Sequence, residues 1–402
     1  MKLRMREIKS VCVVGLGYIG LPTSLLFADA GYEVYGFDVK EDVIDRLNTG
    51  RLHIAENGLP EMFERVRAEG RLTFHKVPKA ADAYLIAVPT PFIKSDSRYK
   101  KSDLSYVRSA GEMVAGVIRP GDMVILESTV PPRTTEMLEG IIQDKSGVQD
   151  FQIVHCPERV IPGKILEELR KNDRIIGSKD RQAAERAAVI YKKTLKGGEV
   201  ILTDDITAEV CKLAENTFRD INIAYANELS VICDRLGIDV FELIGMTNRH
   251  PRVNIHSPGV GVGGHCIPID PWFLHEQFED AATLIAAARF SNEAKTEFVA
   301  EKTVQMTPGK TIAVLGLSYK ADSDDMRESA SIRLCRLLAE RGYTIVGCEP
   351  SLEKDNYGVI PNLPLDEALE KADFAVITLR HNVFVENREK ILKKPHYDCI
   401  GL

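Results

Sequence analysis

The sequence has no long run of like charge. Its 52 basic and 59 acidic residues are interspersed and sum to −7, which argues against a surface built for nucleic acid or membrane headgroups and leaves any anionic ligand to a local site. It lacks low-complexity tracts and internal short repeats. With 44% hydrophobic and 28% charged residues, it has the composition of a folded globular protein, not of a disordered or fibrous one. It also lacks a CxxC pair or any His/Cys cluster at metal-ligand spacing, so no metal site is expected. The eight cysteines, at 12, 156, 211, 233, 266, 335, 348 and 399, are scattered in the way of reduced thiols in a cytoplasmic chain. One uncharged stretch, 11–28, follows Lys2, Arg4, Arg6 and Lys9 like a leader peptide. Gly15, Gly17, Gly20 and Pro22 break it too often for a spanning helix, so no membrane partner is expected.

At 402 residues the chain is long enough for two or three domains of about 150 residues. From Ser10 it alternates short apolar, β-branched runs with helical stretches. Strands are predicted at 11–14, 33–37, 83–88, 123–127 and 151–155, with a helix over 21–30, the pattern of a doubly wound parallel sheet. The period then changes. Over 205–236, Val210, Leu213, Ala214, Ile221, Ala224, Tyr225, Leu229, Ile232 and Leu236 keep helical spacing, and Gly237 stands where a C-terminal cap belongs. This one long helix offers a dimerisation face, and a homodimer or higher homo-oligomer is expected. The region stays helical to about Lys302, apart from the Gly/Pro-rich stretch 257–271. Strand and helix alternate again from Thr311, with strands at 311–315, 343–348 and 374–378 and a helix following Asp325 to Arg341. The expected fold is α/β, with two Rossmann-like doubly wound domains joined by the long helix within an all-α middle domain, divided at 1–204, 205–302 and 303–402.

Two motifs carry chemistry. Gly15-Leu16-Gly17-Tyr18-Ile19-Gly20 follows a strand and opens a helix, and Asp38 ends the next strand. Glycines permit a tight turn and close backbone approach, the helix N-terminus accepts pyrophosphate, and the carboxylate holds ribose hydroxyls while repelling a 2′-phosphate. NAD is the expected cofactor. The second motif, Gly259-Val260-Gly261-Val262-Gly263-Gly264-His265-Cys266, places a thiol at the end of a loop whose backbone can approach a ligand closely. Cys266 is therefore the candidate nucleophile, while the other seven cysteines read as buried and inert. His265 stands beside it, although adjacent side chains often point apart. Lys212 and Asn216 are four apart on the long helix and share a face, a suitable pair of donors for a developing oxyanion. A nicotinamide site plus a thiol suggests an alcohol oxidised to an aldehyde, trapped as a thiohemiacetal, oxidised again to a thioester and hydrolysed.

The order of blocks extends these motifs. Val88-Pro89-Thr90-Pro91, Glu127-Ser128-Thr129-Val130-Pro131-Pro132, Cys156-Pro157-Glu158-Arg159, Lys212-Leu213-Ala214-Glu215-Asn216, Gly263-Gly264-His265-Cys266 and Gly316-Leu317-Ser318-Tyr319-Lys320 through Asp324-Asp325-Met326-Arg327-Glu328-Ser329 follow the cofactor turn in sequence. Together they resemble the UDP-glucose/GDP-mannose dehydrogenase family across nearly the whole chain. The resemblance implies that Cys266 is the nucleophile, Lys212 and Asn216 stabilise the oxyanion, Asp270 partners Lys212 and a water, and Glu158 with Thr129 positions or activates water. Cofactor contacts fall to Gly15, Gly17, Tyr18, Ile19, Gly20, Asp38, Pro89, Thr90, Thr129 and Arg327. Contacts to the UDP-sugar fall to Glu158, Arg159, Val160, Lys212, Asn216, Gly263, Tyr319 and Lys320, with Arg249, His250 and Arg252 reaching across a homodimer. The UDP-glucose branch usually carries a lysine just before the aspartate after the cysteine, and Ile269 stands there instead. The stretches 156–164, 172–174, 248–254 and 265–273 resemble the branch of the family that acts on UDP-N-acetylmannosamine, and the resemblance implies the NAD-dependent four-electron oxidation of C6 of that sugar nucleotide. The alternatives are UDP-glucose, UDP-N-acetylglucosamine or GDP-mannose as substrate, or a non-catalytic sensor of nucleotide sugars.

Overall fold

The computed structural model describes residues 7–161 and 163–402. Lys2, Arg4 and Arg6 of the leader-like stretch, and Pro162, lie outside the described residues. Contacts group the chain into two compact units, Met1–Ala214 and Glu215–Leu402, so the middle helices belong with the C-terminal sheet.

The first unit is built on eight strands: β1 Ser10–Val14, β2 Glu33–Phe37, β3 Leu72–His75, β4 Ala83–Ile86, β5 Met123–Leu126, β6 Gln152–His155, β7 Arg174–Gly177 and β8 Val200–Thr203. Their order is β3-β2-β1-β4-β5-β6-β7-β8, and all pairs are parallel except β6 with β7. Continuous apolar runs such as Met123–Leu126 suit a sheet buried on both faces. Alternation divides β1 between two cores. Val11 and Val13 join the helices Gly20–Asp29, Leu59–Ala68 and Arg181–Thr194 on one face, and Cys12 and Val14 join Ser105–Ala115 and Thr134–Ser146 on the other. Strand order reverses between β1 and β4, and ligands of such sheets bind at the carboxyl ends beside that reversal.

The second unit has a parallel sheet of β9 Thr311–Leu315, β10 Thr344–Cys348, β13 Phe374–Ile377 and β14 His396–Asp398, in the order β10-β9-β13-β14. A small antiparallel pair, β11 Asn356–Tyr357 and β12 Ile360–Pro361, lies after β10. The helix Asp205–Leu236 has the predicted bounds. Gly237 ends it at φ 70°, where a left-handed residue is needed, and the Ile238 amide reaches back to the Cys233 carbonyl at 3.0 Å. The helix Thr283–Met306 outruns the predicted end at Lys302. The helix expected after Asp325 starts at Ala330, because Ser329 caps it by accepting from the Ile332 amide.

The two sheets repeat one turn in detail. Gly15 and Gly316 both adopt φ above 90°. The amide of each bonds the last residue of the next strand, to Phe37 at 2.8 Å and to Cys348 at 2.9 Å. Among the described residues no helix is long and apolar enough to cross a membrane, and no group of three or more His, Cys, Asp or Glu could hold a metal ion.

Candidate active site

In the first unit, the three glycines of the turn have separable roles. A Cβ on Gly15 would sit 2.5 Å from the Ala87 carbonyl oxygen, and one on Gly20 would sit 1.8 Å from that of Gly15, so both are needed for the turn to close onto its helix. A Cβ on Gly17 would meet nothing within 4 Å. Among the described residues nothing crowds that position, so the turn is open on the side from which a pyrophosphate would approach. Asp38, half-buried at the end of β2, accepts from the Leu16 amide and the Lys40 amide, both at 2.9 Å, which fixes its carboxylate beside the turn. These residues fit a dinucleotide with a free 2′-hydroxyl.

Two motif blocks are stitched together beside the turn. The Ser128 hydroxyl accepts from the Val88 amide at 2.9 Å and donates to the Val88 carbonyl at 2.7 Å, and the Thr90 hydroxyl donates to the Thr129 carbonyl at 2.7 Å. Pro89, Thr90 and Thr129 thus form one rim. Glu158, nearly buried after β6, accepts from the amide of Val160, and Asn172 holds the Arg159 carbonyl at 2.8 Å. Beneath them lies a charge pair that the sequence reading missed. Glu127 and Arg174 meet at 3.2 Å with both side chains buried, and the guanidinium also covers the Tyr191 ring at 5.1 Å. Burial pushes the Glu127 carboxyl up to about 7 despite the opposing guanidinium, with Glu158 adding to the rise. Burial works against the charge of Arg174, but Glu127, Cys156, Tyr191 and Glu158 together hold it above its ordinary value. Glu209, also missed, accepts from the Arg133 amide (2.6 Å), the Thr135 amide (2.7 Å) and the Thr135 hydroxyl (2.6 Å), holding the turn that follows Thr129.

Lys212 is buried on the long helix, and Asn216 follows one turn later. In the second unit, Asn216 donates to the Asp270 carboxylate at 2.5 Å. The amides of Ile269 and Asp270 both bond the Cys266 carbonyl at 2.9 Å, so nucleophile, aspartate and amide are drawn together by backbone and side chain alike. His265 does not point away: its Nδ1 stands 3.0 Å from Cys266 Sγ. A Cβ on Gly264 would lie 2.9 Å from the Tyr319 ring and one on Gly263 2.8 Å from the Glu328 carbonyl oxygen, which explains glycine at both. The Gly264 amide bonds the Arg327 carbonyl at 3.1 Å, and the Arg327 side chain chelates Asp325. Lys320 is exposed beside Tyr319. Arg249, His250 and Arg252 are exposed on a loop clamped by Asn248, which accepts from the Ile255 amide and donates to its carbonyl.

All eight cysteines are free; six are buried, and Cys211 shares half-burial with Cys266, against the expectation that it is buried. Burial pushes the Cys12 thiol up to about 11 and those of Cys156, Cys335, Cys348 and Cys399 up to about 12, which keeps them protonated and inert at neutral pH.

Known proteins resemble the chain over nearly its whole length. Sequence profiles described as the NAD binding, central and UDP binding domains of the UDP-glucose/GDP-mannose dehydrogenase family match residues 9–195, 206–294 and 313–399. The chain is 43% identical to a UDP-N-acetyl-D-mannosamine dehydrogenase of Campylobacter jejuni, over 95% of this chain and 98% of that protein. It is 42% identical to an NDP-N-acetyl-D-galactosaminuronic acid dehydrogenase of Ralstonia nicotianae, over 94% and 92%. The solved UDP-D-ManNAc dehydrogenase of Pyrococcus horikoshii matches with a TM-score of 0.86 at 37% identity, covering 98% of this chain and 95% of that one.

Proposed function

The chain belongs to the UDP-glucose/GDP-mannose dehydrogenase family, and from that premise we propose that it oxidises C6 of UDP-N-acetylmannosamine to the carboxylate. The observation that carries the reading is the Cys266 thiol 3.0 Å from the His265 ring, on a loop that Asp270 and Asn216 close. Gly15 to Gly20 and Asp38 would hold NAD, which when bound would supply the hydride acceptor for each of the two oxidations. In the first step the C6 hydroxyl proton leaves to Lys212 or to a water beside it. Nδ1 of His265, unprotonated, takes the thiol proton, and the Cys266 thiolate adds to the aldehyde carbon. The resulting thiohemiacetal loses hydride to become a thioester. Lys212 and Asn216 stabilise the oxyanions of both additions, and Glu158 with Thr129 directs the water that releases the acid.

The sugar rests on the named relatives and on Ile269; the Ralstonia relative is named for the galacto configuration, which differs from the manno one at C2 and C4, and such stereocentres are read by few pocket atoms. Exposed Phe218, Tyr225 and Ile232, seven apart on the long helix, form an apolar stripe that a second copy covers. Arg249, His250 and Arg252 are exposed enough to reach a substrate in that copy. Eight free thiols suit a cytoplasmic enzyme.

The test supplies NAD with UDP-N-acetylmannosamine, UDP-N-acetylglucosamine, UDP-N-acetylgalactosamine and UDP-glucose, counting NADH per sugar consumed. Two NADH from the first and little from the others is expected. One NADH refutes the thioester route, and preferred turnover of another sugar refutes the substrate assignment.

A further inference from the structure

The loop from Gly259 to Asp270 is tied at both ends to one face of one helix. Asn216, Asp220 and Asn227 lie four and seven residues apart on Asp205–Leu236, spacings that keep them on a common face. At the loop's exit, Asn216 holds Asp270. At its entrance, Asn227 Oδ1 accepts from the Gly259 amide at 2.9 Å. The two anchors are eleven residues apart, three turns and about 16 Å of helix.

Behind the anchors runs a buried polar network. Asn227 donates to Asn292 Oδ1 at 2.9 Å, Asn292 donates to Asp220 Oδ1 at 2.8 Å and to the Asp220 carbonyl at 3.1 Å, and Arg289 donates to the same Asp220 oxygen at 2.6 Å. One turn on from Asn292, the Thr296 hydroxyl donates to the Val260 carbonyl at 2.8 Å.

Close packing and these hydrogen bonds act together on the loop. Val260 is buried, and a Cβ on Gly261 would lie 2.7 Å from the Thr296 hydroxyl, so Thr296 meets the loop at two successive residues. A cavity of about 440 Å³ bordered by Val262, Pro268, Arg289, Asn292 and Thr296 lies alongside and leaves room for the loop to shift if that contact is loosened.

We propose that Thr296, Asn227 and Asn292 are positioning residues for Cys266, using the long helix as a ruler that sets where the thiol meets the aldehyde. The inference rests on the reading of Cys266 as nucleophile. Capture of the aldehyde is the step most sensitive to thiol placement, because a misplacement near 1 Å costs on the order of a hundredfold in such additions. The first hydride transfer does not involve the thiol. Loosening the loop therefore separates the two oxidations.

The experiment compares Thr296→Val, Thr296→Ala and Thr296→Ser in the full-length protein, with Cys266→Ser in parallel. Its readouts are NADH and uronate formed, aldehyde trapped by hydroxylamine, and the rate of Cys266 alkylation by iodoacetamide. Thr296→Val and Thr296→Ala should release trappable aldehyde, lower uronate formation about five- to tenfold, as expected for one lost hydrogen bond near 1 kcal/mol, and change Cys266 alkylation. The first oxidation should stay within twofold of the natural protein, and Thr296→Ser should restore uronate. Uronate formation unchanged in both variants, or both oxidations lost in equal proportion, overturns the proposal. Uronate production by Cys266→Ser overturns the nucleophile reading itself, which keeps the two failures distinct.

Discussion

Two buried titratable groups on neighbouring strands should oppose one another in the pH dependence of the first unit's stability. His155, at the end of β6, is fully buried, and among the described residues neither ring nitrogen has a hydrogen-bond partner. Burial lowers its pKa from 6.5 to about 3. Glu127, just after β5, is raised from 4.5 to about 7. Between pH 4.5 and 6.5 the unfolded chain protonates His155 while the folded one does not, so stability on this account falls as pH falls. Over the same window the folded chain keeps the Glu127 proton that the unfolded chain releases, so stability on that account falls as pH rises. Each effect is worth about 1.4 kcal/mol per pH unit, or about 3 kcal/mol across the window, and the two cancel. His155→Leu removes the first slope and leaves no new polar group unpaired. Its stability should drop by about 3 kcal/mol from pH 4.5 to 6.5 relative to the natural protein. Glu127→Gln should show the opposite slope, whatever its overall loss from altering the buried hydrogen bond with Arg174. The assay is urea unfolding followed by circular dichroism at three pH values. Trp272, the single tryptophan, lies in the second unit, so its fluorescence should register none of these differences. A His155→Leu curve parallel to that of the natural protein refutes the reasoning.

Three further outcomes are expected. Cys266→Ser should bind NAD and UDP-sugar within a few-fold of the natural protein, by calorimetry, yet form no uronate. Gly20→Ala should weaken NAD binding more than tenfold in a fluorescence titration, since its Cβ would lie 1.8 Å from the Gly15 carbonyl oxygen; unchanged affinity would place the cofactor elsewhere. Tyr225→Glu together with Ile232→Glu should shift sedimentation to the monomer, because two charges cannot be buried unpaired in an apolar contact; an unchanged mass would remove this face from the interface.

What was legible in the sequence follows the range of the forces involved. The long helix was readable to the residue, because its periodicity and its terminal glycine are local properties. The cofactor turn was readable for the same reason, since strand, glycines and Asp38 fall within one supersecondary unit. The start of the helix Ala330–Glu340 was not, because a tight turn at 326–329 hands the capping role to Ser329. The pairs Glu127 with Arg174, Glu209 with Thr135 and Asn227 with Asn292 join residues 47, 74 and 65 apart. No local pattern marks such partners. Only a buried acid inside an apolar strand end, as at Glu127, hints that a counter-charge must exist somewhere. The contact of His265 with Cys266 depends on rotamers that spacing does not encode.

The duplicated turn ends differently in its two copies. In the second unit, Glu349 follows β10 where Asp38 follows β2, and one of its oxygens accepts from both the Leu317 and Ser318 amides at 2.8 and 2.9 Å. Burial works against its charge, but the His381 ring 3.2 Å away and these amides hold the carboxyl below its usual range. Glycine-turn amides of this kind are anion receptors, and here the anion is part of the chain. The first copy's Asp38 takes one amide of its turn, that of Leu16, and leaves the Gly17 amide to an outside anion, whereas Glu349 takes the corresponding two. The longer acid thus fills with its own chain the place that the shorter one leaves for a guest.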